Sequence, residues 1–305
     1  MKWGLAIPQV FPDGPVDMGL VRASIGTAEA AGCDGLWVLE SGVRPRRTPV
    51  ELEPLSLLSY AAALTSRVRL GTSIILSGLR NPIWLAKQLA ALDHLCGGRL
   101  TVGVGLGDRG RAEIMGIPRE EWTARFAEGI GVMRSLWAEG TATFSGQFSS
   151  YEDVSMMPKP VQHPLPIWFG AHKPAALRRA ARLGDGWMGA GASSHEDFVK
   201  QVPQLRSYLE EAERDIDEFP ISKRVYIAVD KDAGRAESRV RGFFDAFYAN
   251  SDLGSRCALW GSPAQCADGL AALRDAGAGM VMLHPMFDPL DQLAALSESV
   301  VPQLG

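Results

Sequence analysis

The sequence predicts an α/β fold in which helices connect the strands of a parallel sheet. Short apolar runs, typical of buried strands, alternate with longer segments that have helical periodicity. This alternation indicates parallel strands joined by right-handed crossovers. The 305 residues hold eight such units, which favours a closed (β/α)8 TIM barrel over an open doubly wound sheet.

Each predicted unit is a strand followed by a helix. The strands span residues 3–10, 35–39, 68–76, 100–106, 166–170, 186–190, 224–230 and 279–284. The helices span residues 18–31, 55–64, 82–95, 120–137, 174–183, 195–212, 233–248 and 290–300. Three segments are longer than the minimal repeat requires: 41–54, 140–166, which has hairpin-like alternation, and 250–263. We expect insertion loops at the C-terminal face, where barrels build their sites, and one domain over residues 1–305.

Composition excludes several classes of protein. A hydrophobic content of 46% is typical of a globular protein. The formal net charge of −4 gives no electrostatic basis for binding nucleic acid or an anionic membrane. No apolar run approaches the ~20 residues that a membrane span needs, and residues 1–10 do not resemble a signal peptide. The four cysteines form no CxxC motif and the five histidines form no HxH or HExxH motif. We therefore expect reduced thiols, a cytoplasmic location and no metal.

Residues 85–107 contain the most informative local pattern. A helix with leucines at helical spacing ends at Gly97 and Gly98, and a buried strand follows. Near its end that strand carries alternating glycines, at Gly103, Gly105 and Gly107. A strand gives up side-chain packing where another group comes close to its backbone, and we expect that group to be a ligand. The spacing is not the GxGxxG of a dinucleotide-binding loop.

The same segment resembles the luciferase-like oxidoreductases, which use flavin or deazaflavin. The shared pattern is LA..LD in the helix, then GGRL, then GVG.G, with Cys96 where the family more often has serine. A second segment, 166–187 (PIWFGAHKPAALRRAARLGDGW), is similar to another hallmark of the family. The resemblance covers nearly the whole chain. It implies a TIM barrel with the cofactor ring at its C-terminal mouth and the substrate under segments 41–54 and 140–166.

The resemblance also implies where the cofactor binds. A cis peptide bond at Ser73–Ile74 would press the backbone against the ring, beside Gly105 and Gly107. Two loops that lead into helices would hold the cofactor phosphate, because free N–H groups at such positions suit an anion. Their candidate residues are Gly170, Ala171 and His172 in the first loop and Ala190, Gly191 and Ser193 in the second.

Candidate catalytic residues follow two strands. Asp108 comes directly after Gly107, where deazaflavin-dependent sugar-phosphate dehydrogenases of the family have glutamate, so it is a candidate for positioning, for proton transfer or for capping a loop. Glu40 and Ser41 stand where many members have Asp-His or Glu-His. The histidine that members use as an acid or base is therefore absent. His284 ends the last strand and faces the functional rim.

The resemblance implies hydride transfer between coenzyme F420 and a small organic substrate. An FMN-dependent monooxygenase supplied by a partner reductase and a non-catalytic flavin-binding barrel stay as alternatives. Relatives are often homodimers, and we expect the same here. The substrate is not identified, although Arg44, Arg46 and Arg47 in the loop 41–54 are either solvated or placed to meet an anionic group.

Overall fold

A computed structural model describes residues 1–11, 14–42 and 50–304. Strands are numbered in chain order. They are β1 (Lys2–Ala6), β2 (Val10–Phe11), β3 (Gly35–Val38), β4 (Val50–Glu51), β5 (Arg69–Thr72), β6 (Leu100–Val104), β7 (Ala142–Ser145), β8 (Ser150–Val154), β9 (Ile167–Ala171), β10 (Gly186–Gly189), β11 (Ile221–Val229), β12 (Leu259–Gly261) and β13 (Met280–Pro285).

The helices are numbered in the same way. They are α1 (Met18–Ala30), α2 (Pro54–Leu64), α3 (Pro82–Leu95), α4 (Arg109–Ile114), α5 (Arg119–Trp137), α6 (Pro174–Leu183), α7 (His195–Glu211), α8 (Ala233–Tyr248), α9 (Ser251–Cys257), α10 (Pro263–Asp275) and α11 (Pro289–Ala295). A short π-helical segment, Leu296–Val300, extends α11. Sequence signals set several of these bounds: at the start of α3, for example, Asn81 caps the helix and Pro82 occupies its first turn.

Eight parallel strands close into a barrel, which confirms the predicted fold. Their order around the barrel is β1, β3, β5, β6, β9, β10, β11 and β13, and β13 pairs with β1 to complete the circle. Apolar side chains between the strands and the outer helices form the main core, and Trp37, Met188 and Met282 fill the barrel interior. The carboxyl ends of the strands therefore meet at one mouth, above a packed interior.

The predicted strand 68–76 is shorter than the sequence indicated. β5 ends at Thr72, and a bulge and a 3-10 turn, Ser77–Leu79, follow it. Its apolar residues continue past the strand because the bulge is buried as well, with Ile75 0% exposed. Apolar content alone cannot separate these two conformations. The helix α4, which the sequence analysis did not predict, lies in the following unit.

The seventh unit is built differently from the predicted one. The helix expected on the outside of the barrel, α8, packs instead on Tyr226 and Ala228 of β11 and approaches His284 at the mouth. The outer position belongs to α10, whose Cys266 and Leu270 join the main core. Helix α9 and strand β12 fill the segment expected to be a loop. Residues 230–262 are thus an insertion at the mouth.

The segment 140–166 lies at the end of the barrel opposite the mouth. It forms the expected hairpin from β7 and β8, but it precedes β9 and therefore leads into the amino end of that strand. Gln162 in this segment donates to the carbonyl of Leu100 at the start of β6 (2.8 Å) and to Asp93 (2.8 Å). The expectation that this segment covers the substrate is therefore wrong, because the chain reaches it from a helix and not from a strand.

Among the described residues, no helix has the length and apolar character needed to span a bilayer.

Candidate functional site

The mouth of the barrel is built around the bulge that follows β5. Its Ser73–Ile74 peptide bond is cis, as the resemblance implies. The Ser73 N–H donates to the Val38 carbonyl of β3 (2.6 Å), and the Ile75 N–H donates to the Gly103 carbonyl of β6 (2.8 Å). The two neighbouring strands therefore hold the bulge in place from both sides.

Glycines on β6, directly after β6 and on β9 make room for this bulge. A Cβ atom at Gly105 would lie 2.0 Å from Ile74 Cδ1, and one at Gly170 would lie 2.8 Å from Ile74 Cγ2. A Cβ atom at Gly103 would lie 2.0 Å from the Thr72 carbonyl oxygen. The expectation that a ligand occupies the space beside Gly103 and Gly105 is therefore wrong, because the protein's own backbone and side chains occupy it. Sequence alone does not reveal which neighbour a glycine serves.

Asp108 begins the helix α4. Gly107, at φ +88°, turns the chain out of β6. The Arg111 N–H donates to Asp108 Oδ1 (3.1 Å), and the Arg111 guanidinium forms an ion pair with the same carboxylate. The Asp108 side chain is 55% exposed. Asp108 therefore caps the helix, which is one of the three roles that the sequence allowed, and Arg111 engages both of its carboxylate oxygens.

Glu40 and Ser41 are also engaged by the protein. Glu40 accepts from the Leu76 N–H (2.6 Å) and pairs with Arg80 (2.5 Å). The Ser41 N–H donates to Glu51 Oε1 (2.9 Å), and the Ser41 hydroxyl donates to the same carboxylate. Glu40 thus ties the end of the bulge to the loop after β3, and Ser41 ties that loop to β4.

Glu40 lines a cavity of about 750 Å³, beside Glu51, the partner of Ser41, and Arg111, the partner of Asp108. Glu40, Arg80 and Arg111 line it, together with apolar residues of α4. Arg111 also donates to the Ser41 carbonyl. The structure therefore brings the three candidate catalytic residues, Glu40, Ser41 and Asp108, to one side of the mouth.

The loop after β9 adjoins the loop after β10, because Ala171 pairs with Gly189 in the barrel register. Two side chains fix its backbone: Trp187 Nε1 donates to the Ala171 carbonyl (2.9 Å), and Gln201 Nε2 donates to the His172 carbonyl (2.9 Å). Burial, and then the nearby Lys173, lower the pKa of His172. Both predicted phosphate loops are therefore neighbours at the mouth.

The loop after β10 has two free N–H groups. The Ala190 carbonyl accepts from the Ser193 N–H (3.2 Å) and from the Ser193 hydroxyl (2.8 Å). The N–H groups of Gly191 and Ala192 have no acceptor in the part of the chain that the structure describes. Successive free N–H groups of this kind form a concave site that suits an anion.

Sequence reasoning missed two cationic residues on β11, Lys223 and Arg224. Lys223 lies against the loop after β10. Arg224 points to the mouth, where its Nη1 donates to the Ser73 carbonyl (2.9 Å) and its Nη2 meets His284 Nδ1. Two adjacent basic residues in an otherwise apolar strand, ISKRVYIAV, were the available signal.

His284 faces the mouth, which confirms its predicted position at the rim. Burial, and then the Arg224 guanidinium, hold the pKa of His284 well below its usual range, so the ring is neutral. The ring lies 4.8 Å from that of Tyr226, measured between centroids. It lines a second cavity, of about 380 Å³, with Arg239 and Phe243 of α8. The inserted helix therefore forms part of the site.

Two further expectations concern the arginines of the loop 41–54 and a metal site. Arg44, Arg46 and Arg47 lie outside the described residues. Within residues 1–11, 14–42 and 50–304, no group of three or more histidine, cysteine or carboxylate side chains is placed to hold a metal ion.

Sequence comparisons identify related proteins. A family model described as luciferase-like monooxygenase matches residues 3–256. An F420-dependent glucose-6-phosphate dehydrogenase of Kineococcus radiotolerans is 31% identical over 223 residues, which cover 70% of this chain and 65% of that protein. The same enzyme of Beutenbergia cavernae is 32% identical over 71% of this chain and 66% of its own length. The match thus spans slightly less than two thirds of these relatives.

Solved structures share the fold over the full length of the chain. An F420-dependent secondary alcohol dehydrogenase, solved with an F420–acetone adduct, superposes with a TM-score of 0.86 at 20% identity and full coverage of both chains. The oxygenating component of a Baeyer–Villiger monooxygenase from Pseudomonas putida, solved with FMN, gives a TM-score of 0.75 at 16% identity and covers 100% of this chain and 99% of that one. At these identities the likeness establishes the fold.

The contact between Ile74 and Gly105 can be tested by substitution. Gly105→Ala should lower the free energy of unfolding by about 1–3 kcal/mol, because the new methyl group meets Ile74 Cδ1 in a packed interior. Ile74→Val removes that carbon and should recover part of the loss in the double variant. Gly26→Ala, at an open position in α1, is the control and should be neutral or stabilising. Urea unfolding of the wild type and the four variants measures these losses, and additive losses in the double variant would contradict the contact.

Buried histidines should make the fold sensitive to acid. Burial, and then the charge of Lys223, lower the pKa of His195 to about 4. Below pH 6.5 the His195 ring is therefore protonated in the unfolded chain but still neutral in the folded chain. The free energy of unfolding then falls as the pH falls towards 4. The slope is at most about 1.4 kcal/mol per pH unit for each such histidine. His195→Gln should flatten the urea-midpoint profile between pH 8 and 5.5, and an unchanged slope would contradict the shift.

Proposed function

Because the chain belongs to the luciferase-like monooxygenase family, we propose that it is an oxidoreductase that moves hydride between coenzyme F420 and a small organic substrate. The observation that carries the proposal is at the mouth. Arg224, which has no carboxylate partner among the described residues, packs its stem beside Gly191, in the loop where the N–H groups of Gly191 and Ala192 have no acceptor in the described chain. This combination suits an anionic cofactor with a planar ring. The F420-dependent relatives favour F420.

The residues present fit such a cofactor. Arg224 has five N–H donors, of which two meet Ser73 and His284. The other three have no acceptor in the described part of the chain, and Arg224 lines a small pocket at the mouth together with Ser73 and Trp37. A Cβ atom on Gly191 would lie 3.3 Å from the Arg224 stem. One side chain therefore connects the bulge with the loop after β10.

The chain's share of the reaction is binding, orientation and exclusion of water. F420, when bound, would supply a ring carbon that exchanges hydride and does not activate oxygen. Ser73 and Ile74, the latter seated against Gly105, would support the ring from the β5 side. Ala190, Gly191 and Ser193, with Gly170, Ala171 and His172 beside them, would hold the phosphate.

A hydrogen-bond donor is available at the mouth despite the missing histidine after β3. The Arg224 guanidinium can only donate, so His284 Nδ1 accepts and the neutral ring carries its proton on Nε2. We assign to His284 the task of donating a hydrogen bond from Nε2 to the substrate oxygen. Glu40, Ser41 and Asp108 then act by positioning the bulge and the helix α4, because their polar atoms are already engaged.

An FMN-dependent monooxygenase is the second candidate. The FMN-bound structural neighbour favours it, and it would require a partner reductase to supply reduced flavin. A non-catalytic flavin-binding barrel would bind a cofactor and turn over no substrate. Four free buried cysteines favour a reducing, cytoplasmic location, which cell fractionation checks.

Cofactor titration tests the proposed function. The purified chain should bind F420 more tightly than FMN, followed by quenching of tryptophan fluorescence. Arg224→Met should raise the Kd for F420 about tenfold, the effect of losing one charged hydrogen bond of about 1.4 kcal/mol. Arg206→Met, an exposed change on α7, is the control. Tighter binding of FMN would favour the monooxygenase, and binding of neither would refute both.

We also propose a homodimer. Trp84 (69% exposed) and Leu95 (62%) lie on α3, and Met157 (62%) lies on the segment that runs beside it, where Lys87 contacts the Met157 carbonyl. An exposed apolar surface of this kind is typical of an interface. Sedimentation should give a dimeric mass for the wild type and a monomeric mass for Trp84→Glu. Met18→Glu, at another exposed apolar residue, should stay dimeric, and a monomeric wild type would contradict the proposal.

A further inference from the structure

Lys223 is a buried cation whose donors all point at one loop. The side chain is 0% exposed. Its Nζ donates to the Ser193 carbonyl (2.8 Å), to the Ser193 hydroxyl (3.0 Å) and to the Ala190 carbonyl. The three N–H groups of the ammonium are therefore used, all by the loop after β10.

No carboxylate of the described chain lies within ion-pair distance of Lys223. Its charged and titratable surroundings are Arg224, Asp197, His195, His172 and Cys257. Burial, and then the charge of Arg224, outweigh Cys257 and Asp197 and lower the pKa of Lys223 to about 7. A buried charge without a counter-ion is costly. The fold keeps one here, directly beneath the loop that has free N–H groups.

The loop's conformation follows from these contacts. Lys223 draws the carbonyls of Ala190 and Ser193 to its own side. The N–H groups of Gly191 and Ala192 are left for a ligand on the other side. The following helix α7 adds little, because Ser194 and the Asp197 carboxylate already cap its first turn. The positive charge in direct contact with the loop is therefore that of Lys223.

We infer that Lys223 is a positioning residue that shapes the loop 190–193 into a site for the anionic phosphate of the cofactor and supplies its counter-charge. The inference rests on the proposed function. It predicts that Lys223 acts on the phosphate and not on the ring. Ligand pairs that differ only in the phosphate can separate these two effects.

The test compares Kd values for FMN with riboflavin, and for the 5′-monophosphate of the deazaflavin alcohol with the alcohol itself. In the wild type the phosphate-bearing member should bind more tightly. Lys223→Met should reduce that preference about tenfold and leave the Kd of the phosphate-free member unchanged. Lys231→Met, at an exposed residue after β11, should keep the wild-type preference.

A second measurement uses the wild type alone, in case Lys223→Met does not fold. The preference for FMN over riboflavin should decline several-fold from pH 7.5 to 9, as Lys223 loses its proton while the FMN phosphate stays a dianion. A merely structural lysine would not produce this decline.

Three outcomes would overturn the inference. Lys223→Met could weaken both members of a pair equally, the preference could persist in the variant, or it could be flat with pH in the wild type. Each would leave the proposed function intact if the wild type still binds F420 more tightly than FMN. Failure of the wild type to bind either cofactor would overturn the proposed function and this inference together.

Discussion

The packing of Ile74 between glycines is the constraint on which the mouth depends. The bulge can leave β5 only because Gly105 and Gly170 have no side chains where Ile74 lies. Once seated, the bulge offers the Ser73 carbonyl to Arg224, and Arg224 in turn fixes His284. Leu76, at the end of the bulge, donates to Glu40. Elements from β3, β5, β11 and β13 are thus connected through one short stretch of backbone.

Strand β11 carries the electrostatics of the site because its side chains alternate between two surroundings. Lys223 reaches the loop after β10, and Arg224 reaches the bulge. Neither has a carboxylate partner among the described residues. Two consecutive cations therefore contact two different parts of the proposed anion-binding surface, because neighbouring side chains of a strand point in opposite directions.

The sequence predicted the barrel well because its strands and outer helices have different hydrophobic periods. The prediction was wrong where a helix on the outside of the barrel and a helix at the mouth have the same hydrophobic period. Helix α8 has a buried face as an outer helix would, but that face packs on Tyr226 at the mouth. The role of Gly103 and Gly105 depended on Thr72 and Ile74, about thirty residues earlier in the chain. The candidate carboxylates Glu40 and Asp108 were found at the mouth, but their ion pairs with Arg80 and Arg111 could not be foreseen.

The insertion of residues 230–262 begins and ends at the same place. Strand β12 returns beside the end of β11, and the Asp230 N–H donates to the Gly261 carbonyl (2.8 Å). Its two ends are therefore clamped together, and the closure of the barrel does not depend on what lies between them. The insertion, whose Arg239 and Phe243 line the second cavity, can therefore vary without disturbing the barrel. A longer or different insertion would change the shape of the cavity that it lines, while the bulge and the loops after β9 and β10 would stay unchanged.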